Sequence, residues 1–548
     1  MCFITINKIK RHLNIFTIMS IVIGILILLP IVNILFEFFG TSSATWEHIR
    51  TYLLREYILN SIILIILVGI MTLILGFTSA YFVARYNFKG RKFLSWMLVI
   101  PLAVPSYIAG YVYADMFSYT GTIGRFLSSI GMNGQINIMN MLGASLIFAF
   151  TLYPYVYLLT LTSLSRQSSS YLESATLLGA SKWKRLVTVT IPLARPALVA
   201  GTLLVILETL NDYGVVQYFN VRVFSFAIFN AWFSLGDITS AIRLSAYLMV
   251  LVFAVILIER AFRGRKQYQM HVKTKLISRR KIHGWKQVGV TSFLWFILAI
   301  GFLIPIMQLL YYLVLTIHKA LDIRLLIATM NTVVNSVVTA GFIVIIALFM
   351  VNFSRLNKRG KASKSWVRLA NLGYAIPGAV IAVAVHVFFV DLDRLFAPIY
   401  SLINPNGPSL VITVSLFTLI FAYILRFLSI GFNSIESQYE KIGTKFTESA
   451  YTLGSGRLDA LIRVDIPLIF PGLVGAFILS FIDIIKELPL TLILRPANYD
   501  SLSTYIYTYA RDEMIQESSL PSLILITIAG VLIYLLTHYK KGLFNNVY

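Results

Sequence analysis

Glu173-Ser174-Ala175-Thr176-Leu177-Leu178-Gly179, followed by Val189-Thr190-Ile191-Pro192, recurs in the same chain as Glu448-Ser449-Ala450-Tyr451-Thr452-Leu453-Gly454 and Val464-Asp465-Ile466-Pro467. Every corresponding position is 275 residues apart. Each copy reads as two short helices meeting at a corner. Ser170, three residues before Glu173, has the spacing of a reciprocal helix cap. Gly179 and Gly454 end the first helix, because a residue without Cβ accepts the left-handed conformation that follows a helical C-terminus. The second helix is expected to run to the proline. Its apolar positions correspond between copies: Trp183 with Leu458, Leu186 with Leu461, Val187 with Ile462 and Val189 with Val464. Those spacings give one apolar stripe, with Lys182, Lys184 and Arg185, or Arg457 and Asp459, on the other side. Both copies lie between strongly hydrophobic segments, which places them against a membrane face.

Of the 548 residues, 58% are hydrophobic and 13% charged, and the mean hydropathy is +0.80. A chain of this composition cannot give a soluble globule a polar surface, so the fold class is an all-α polytopic membrane protein. The net charge of +23 would suggest nucleic acid in a soluble protein. Here 34 of the 46 lysines and arginines fall in stretches expected on the cytoplasmic side, including ten between Arg260 and Lys286. That bias sets the orientation, with both termini and both repeated loops inside, and makes nucleic-acid binding unnecessary. Cys2 is the one cysteine, which excludes a disulfide framework and a thiol metal site. His386 lies in an apolar run and is read as packed. The first run, Ile15 to Phe39, follows Lys8, Lys10 and Arg11 and is too long for a cleavable core, so a retained signal anchor is expected.

Runs long enough to cross a bilayer are expected near 15–39, 57–84, 93–117, 139–163, 197–215, 241–259, 290–315, 331–353, 369–390, 410–432, 472–490 and 518–537. That makes about 12 transmembrane helices in two six-helix parallel repeats. An N-terminal half spans 1–262 with its loop at 164–195, a basic cytoplasmic linker spans 263–289, and a C-terminal half spans 290–548 with its loop at 433–471. Asn60-Ser61 and Asn335-Ser336 repeat the 275-residue offset, while Pro105 and Pro377, at an offset of 272, interrupt the third span of each half. A proline there frees a carbonyl and bends the helix.

The paired loops, with Glu-x-Ala, a glycine six residues after the Glu, and an apolar-x-apolar-Pro ending, resemble the cytoplasmic coupling loop of permease subunits of bacterial ABC importers. Ser174 and Ser449 stand where that family usually has Ala. The resemblance implies that Glu173, Ala175, Gly179 and Pro192, and Glu448, Ala450, Gly454 and Pro467, form coupling helix-turn-helices that dock onto an ATPase. Along almost its whole length the chain resembles the fused permeases of the ferric-iron group, through Leu152-Tyr153-Pro154-Tyr155-Val156-Tyr157, Glu208-Thr209-Leu210-Asn211-Asp212-Tyr213-Gly214, Ala231-Trp232-Phe233, and Asp483 to Pro496. This implies a bacterial plasma-membrane protein working with two copies of an ATPase subunit and an extracytoplasmic substrate-binding protein. Thiamine, aminoethylphosphonate and polyamine permeases are the alternatives within the class.

Charged side chains within a span mark function by default. Glu208 and Asp212 are four residues apart, as are Asp483 and Glu487, again 275 residues on. On a helix that spacing puts both acids of each half on one face. If the halves pack symmetrically, Glu208, Asp212, Tyr213, Asp483, Lys486 and Glu487 line the translocation pathway, where oxygen ligands suit a hard cation. Alternatively the acids pair with Lys486 and Arg495 as scaffold ties. No further metal site is assigned.

Neither Gly360-Lys361 nor Gly443-Thr444-Lys445 completes a phosphate-binding loop, so this chain is expected to bind no cofactor and to leave ATP and magnesium to the partner ATPase. It is not expected to be an enzyme. A secondary transporter, the rival from another class, often has inverted rather than parallel repeats and needs no docking loops.

Overall fold

The computed structural model describes residues 15–131, 136–167, 169–263, 279–320, 322–356 and 371–544. Cys2, the basic tail of Lys8, Lys10 and Arg11, most of the linker and Gly360-Lys361 lie outside the described residues.

The chain is helical almost throughout, as a backbone must be when lipid offers its polar groups no partner. Among the described residues nine helices are long and apolar enough to cross a membrane, and ten if one bent pair counts as a span. The remaining two expected spans are also helices, Ile15–Glu37 and Gly378–Ile403. The second of these carries Asp391, Asp393 and Arg394, which lowers its apolar character toward one end. The seventh span starts at Trp285, inside the stretch expected to be linker. Just before it, Arg280–Lys281 pairs in parallel with Tyr86–Asn87, tying the returning chain to the first half.

Each half is built on the same trio. Met141–Ser165 packs against Leu54–Arg85 and Ile191–Asn211, and Leu416–Ile442 packs against Ile323–Leu356 and Ile466–Ile485. Small residues let these backbones approach closely. A Cβ on Gly76 would lie 2.6 Å from Val156 Cβ, and one on Gly201 would lie 2.8 Å from Val156 Cα. In the second half a Cβ on Gly431 would meet Ile343 at 2.7 Å.

Pro105 and Pro377 do not sit within bent helices. In each half a short 3-10 turn, Ile100–Ala103 or Asn371–Ala375, ends before the proline, and a new helix starts after it at Ser106 or Gly378. Both prolines adopt the same extended conformation, with φ −56° and ψ near 140°. The break in the first half turns the chain by 87°. A ring that fixes φ and lacks an N–H suits a helix start better than a helix interior.

These broken segments interlock the halves. Ser106–Phe117 packs against Ile304–Ala320, and Ile100–Ala103 against Ser519–Phe544, both in the second half. Reciprocally, Gly378–Ile403 packs against Ile15–Glu37 and Ile238–Arg263 of the first.

Candidate functional site

A cavity of about 90 Å³ lies on the seam between the halves, lined by the prolyl break of the first half, the ends of the fifth and eleventh expected spans, and Arg426 from Leu416–Ile442. Glu208, Asp212, Asp483 and Glu487 all face it, and so do Tyr213 and Lys486. The structure thus brings together all six residues expected on the pathway.

It does so by a different local geometry from the one expected. The helix Ile191–Asn211 ends before Asp212, whose backbone is extended, and Ile466–Ile485 ends before Glu487. The two acids of each half therefore do not share a helix face. Asp212 and Glu487 turn back on the chain instead: Asp212 Oδ1 accepts from Val215 N at 2.8 Å, and Glu487 Oε1 from Leu490 N at 3.2 Å. Short polar side chains after a helix end favour such local bonds.

Several contacts around the cavity cross the seam. Tyr374 Oη donates to Glu208 Oε1 at 2.9 Å. Gly378 N donates to Asn211 Oδ1 at 2.5 Å, and Arg426 Nη1 donates to the same oxygen at 2.6 Å. Lys486, at the position equivalent to Asn211, reaches the other way and donates from Nζ to Leu102 O at 3.3 Å. Asn211 and Lys486 are therefore counterparts, each bonding the prolyl break of the opposite half. Lys486 also lies 3.4 Å from Asp483 within its own helix end. Arg426 Nε stands 3.5 Å from Glu487 Oε2, with both side chains almost fully buried. Arg495 is not a partner of these acids; it pairs with Asp500. Tyr213 stacks on Phe229 with ring centroids 3.7 Å apart and its hydroxyl 3.2 Å from that of Tyr507.

Among the described residues no three carboxylates or histidines converge closely enough to hold a metal ion. His386 packs edge-on against Trp232, centroids 4.9 Å apart. Arg426 was the functional candidate that sequence reasoning left unassigned; its signal was a lone arginine inside an apolar run.

The repeated loops form the expected corners. Gly179 and Gly454 have φ of +75° and +90°. Each closes a Schellman motif, Gly179 N to Thr176 O with Ala180 N to Ala175 O, and Gly454 N to Tyr451 O with Ser455 N to Ala450 O. Ser170 does not cap the first helix, because that helix already begins at Ser169. The second helices do not stop at the prolines either. Lys182–Arg185 continues through a π-helical turn, Leu186–Thr190, into Ile191–Asn211, and Arg457–Ala460 continues likewise into Ile466–Ile485. Pro192 and Pro467 fall in the first turn after the π-turn, where a missing N–H is tolerated. Each corner is therefore rigidly joined to the span that ends at the cavity. Glu173 and Glu448 are exposed, Ala175 is half-buried and Ala450 buried, and Leu177, Leu178 and Leu453 project as exposed apolar tips.

The loops are held by unlike ties. Arg355 Nη1 pairs with Asp465 Oδ2 at 3.3 Å, and Thr447 Oγ1 donates to Asp465 Oδ1 at 2.6 Å. In the first half the position of Asp465 holds Thr190, and the buried tie is instead Arg85 Nη2 donating to Gln167 Oε1 at 2.7 Å.

Residues 72–268 match the family described as binding-protein-dependent transport system inner membrane component. The chain is also 26% identical to the Fe(3+)-transport system permease protein FbpB 2 of Haemophilus influenzae, across 89% of this chain and 90% of that one. The chain is thus similar to the binding-protein-dependent transport permeases over residues 72–268, and to an iron-transport permease along nearly its whole length. Sulfate permeases are similar over a shorter stretch: CysT of Escherichia coli is 32% identical over 26% of this permease and 51% of its own length, and CysW of the same organism is 34% identical over 27% and 50%. With its long apolar helices and this likeness to an inner-membrane family, the chain is a multi-pass protein of the cytoplasmic membrane.

Proposed function

We propose that the chain forms the translocation pathway of an ABC importer for ferric iron, delivered by an extracytoplasmic binding protein. Two ATPase subunits drive it, one on each loop, 164–195 and 433–471. In this reading both termini face the cytoplasm, and the halves 1–262 and 290–548 act as two permease domains joined by the linker. The observation that carries it is the seam cavity, where both halves place two carboxylates each, with Arg426 and Lys486 as the only cations in its lining among the described residues. An excess of formal negative charge in a low-dielectric cleft concentrates cations and suits hard ones. The near full-length likeness to a ferric permease supports iron.

Oxyanion import is the second reading, favoured by Arg426 and Lys486 in the cavity and by the likeness to sulfate permeases. Uptake of radiolabelled ferric iron and sulfate, per folded permease, separates the two. Glu208→Gln and Asp483→Asn are expected to abolish iron uptake at normal abundance. Iron uptake that merely tracks abundance, or sulfate uptake by the unaltered system, overturns the iron reading.

A further inference from the structure

Each of the four carboxylates in the cavity is committed to a different internal partner: Glu208 to Tyr374, Asp212 to Val215 N, Asp483 to Lys486 and Glu487 to Arg426. A cation entering the cavity must therefore compete with groups the protein supplies itself.

Arg426 is the informative one. A guanidinium with 4% of its side chain exposed, in the middle of a span, costs several kcal/mol. The fold does not require it, since the equivalent residue 275 positions earlier is Thr151, which lines the same cavity. Its bonds are uneven. Nη1 is held by the neutral amide of Asn211 at 2.6 Å, whereas its closest approach to Glu487 is 3.5 Å and Nε has no hydrogen-bond partner. A settled arginine–carboxylate pair closes to about 2.7–2.9 Å, often through two bonds.

Resting on the cation reading above, we propose that Arg426 is the resident counter-cation of the cavity: it neutralises Glu487 while the cavity is empty and surrenders it to an incoming hard cation. Asn211 keeps hold of the guanidinium during the exchange, so the arginine is not stranded. The exchange also selects by charge. A trivalent ion is attracted to Glu487 about three times as strongly as a monovalent one at equal distance, so it displaces the arginine where a monovalent ion does not.

The test is titration of the purified full-length permease with terbium(III), a hard trivalent probe whose luminescence is sensitised by nearby tyrosines; Tyr107 and Tyr155 line the cavity. Removing the internal competitor with Arg426→Gln is expected to tighten terbium binding by about tenfold or more. Arg426→Lys, which keeps the charge, is expected to stay near the unaltered protein. Glu487→Gln is expected to weaken binding and to erase the effect of Arg426→Gln. Arg426→Thr, which copies the first half, serves if the glutamine variant does not accumulate. Unchanged or weaker binding in the folded neutral variants overturns the inference while leaving the cation reading standing. Absence of terbium binding by unaltered and variant proteins alike overturns both.

Discussion

Gly378 is where one methyl group tests the seam. A Cβ there would lie 2.2 Å from Arg426 Nη1, 2.7 Å from Glu487 Oε1 and 3.0 Å from Asn211 Oδ1. Since non-bonded heavy atoms rest at about 3.5 Å, the guanidinium in Gly378→Ala must retreat by roughly 1 Å or more. That lengthens its 2.6 Å bond to Asn211 beyond hydrogen-bonding range. Losing a charged hydrogen bond costs about 1.5–3 kcal/mol, and crowding a packed site costs about 1–3 kcal/mol. Together these predict a loss of roughly 2.5–6 kcal/mol. The assay is unfolding in a dodecyl sulfate titration of the detergent-solubilised permease. Gly289→Ala and Gly341→Ala are the controls, because a Cβ at either position meets nothing within 4 Å. These controls are expected to be neutral or to stabilise by about 0.5–1 kcal/mol. Arg426→Ala removes the clashing atom, so the double variant should lose less than the sum of the singles by about 1 kcal/mol or more. A loss below about 0.5 kcal/mol for Gly378→Ala, or strict additivity with Arg426→Ala, refutes the reasoning.

The remaining predictions concern the loops and the outer ends. Gly179→Val with Gly454→Val should cost about 1–2 kcal/mol per site through backbone strain alone, since nothing lies within 4 Å of either Cβ; the expected result is normal insertion with ATP hydrolysis uncoupled from uptake, and full transport would remove the docking role. Arg355→Gln strands the buried Asp465, at a cost of about 3–5 kcal/mol, so limited proteolysis should open the second loop well before the first; equal cleavage of both loops is the contrary result. Burial pushes the Asp237 carboxyl up, but hydrogen bonds from Ser240 and Ser43 outweigh it and hold it below its ordinary value. Its contribution is therefore complete above the unfolded value of about 3.9 and is lost as pH falls through the lowered folded value; Asp237→Asn should flatten the acid side of a thermal-stability profile. On a background without Cys2, membrane-impermeant thiol labelling should reach cysteines at Gly131 and Asn406 and fail at Lys184 and Arg457; external labelling at either loop would reverse the assigned orientation.

What the sequence revealed depended on how local the signal was. The apolar runs and the glycine corners are written into neighbouring residues, and the helices and the Schellman turns at Gly179 and Gly454 follow them. The proximity of the four acids was legible because duplication repeats them at one offset. Their arrangement was not, because a spacing of four implies a shared face only if the helix continues, and it ends at Asn211 and Ile485. Pro192 and Pro467 looked like stops, yet a π-turn before each carries the helix past a residue without an N–H. The partnership of Arg426 with Asn211 is a contact over 215 residues between halves, and no local pattern encodes it.

The seam also fixes an order of events during synthesis. Glu208 and Asn211 emerge from the ribosome long before Tyr374, Gly378 and Arg426, which lie 166, 167 and 215 residues downstream. At about 5–20 residues per second, that leaves the first half in the bilayer for roughly 10–40 s with a carboxylate and an amide still lacking the partners they will finally bond. During that interval the newborn half presents a wet notch rather than a sealed wall. Quality-control proteases of the membrane can sense such a notch, so a chain truncated before Tyr374 should be cleared rapidly even though every helix of its first half is intact.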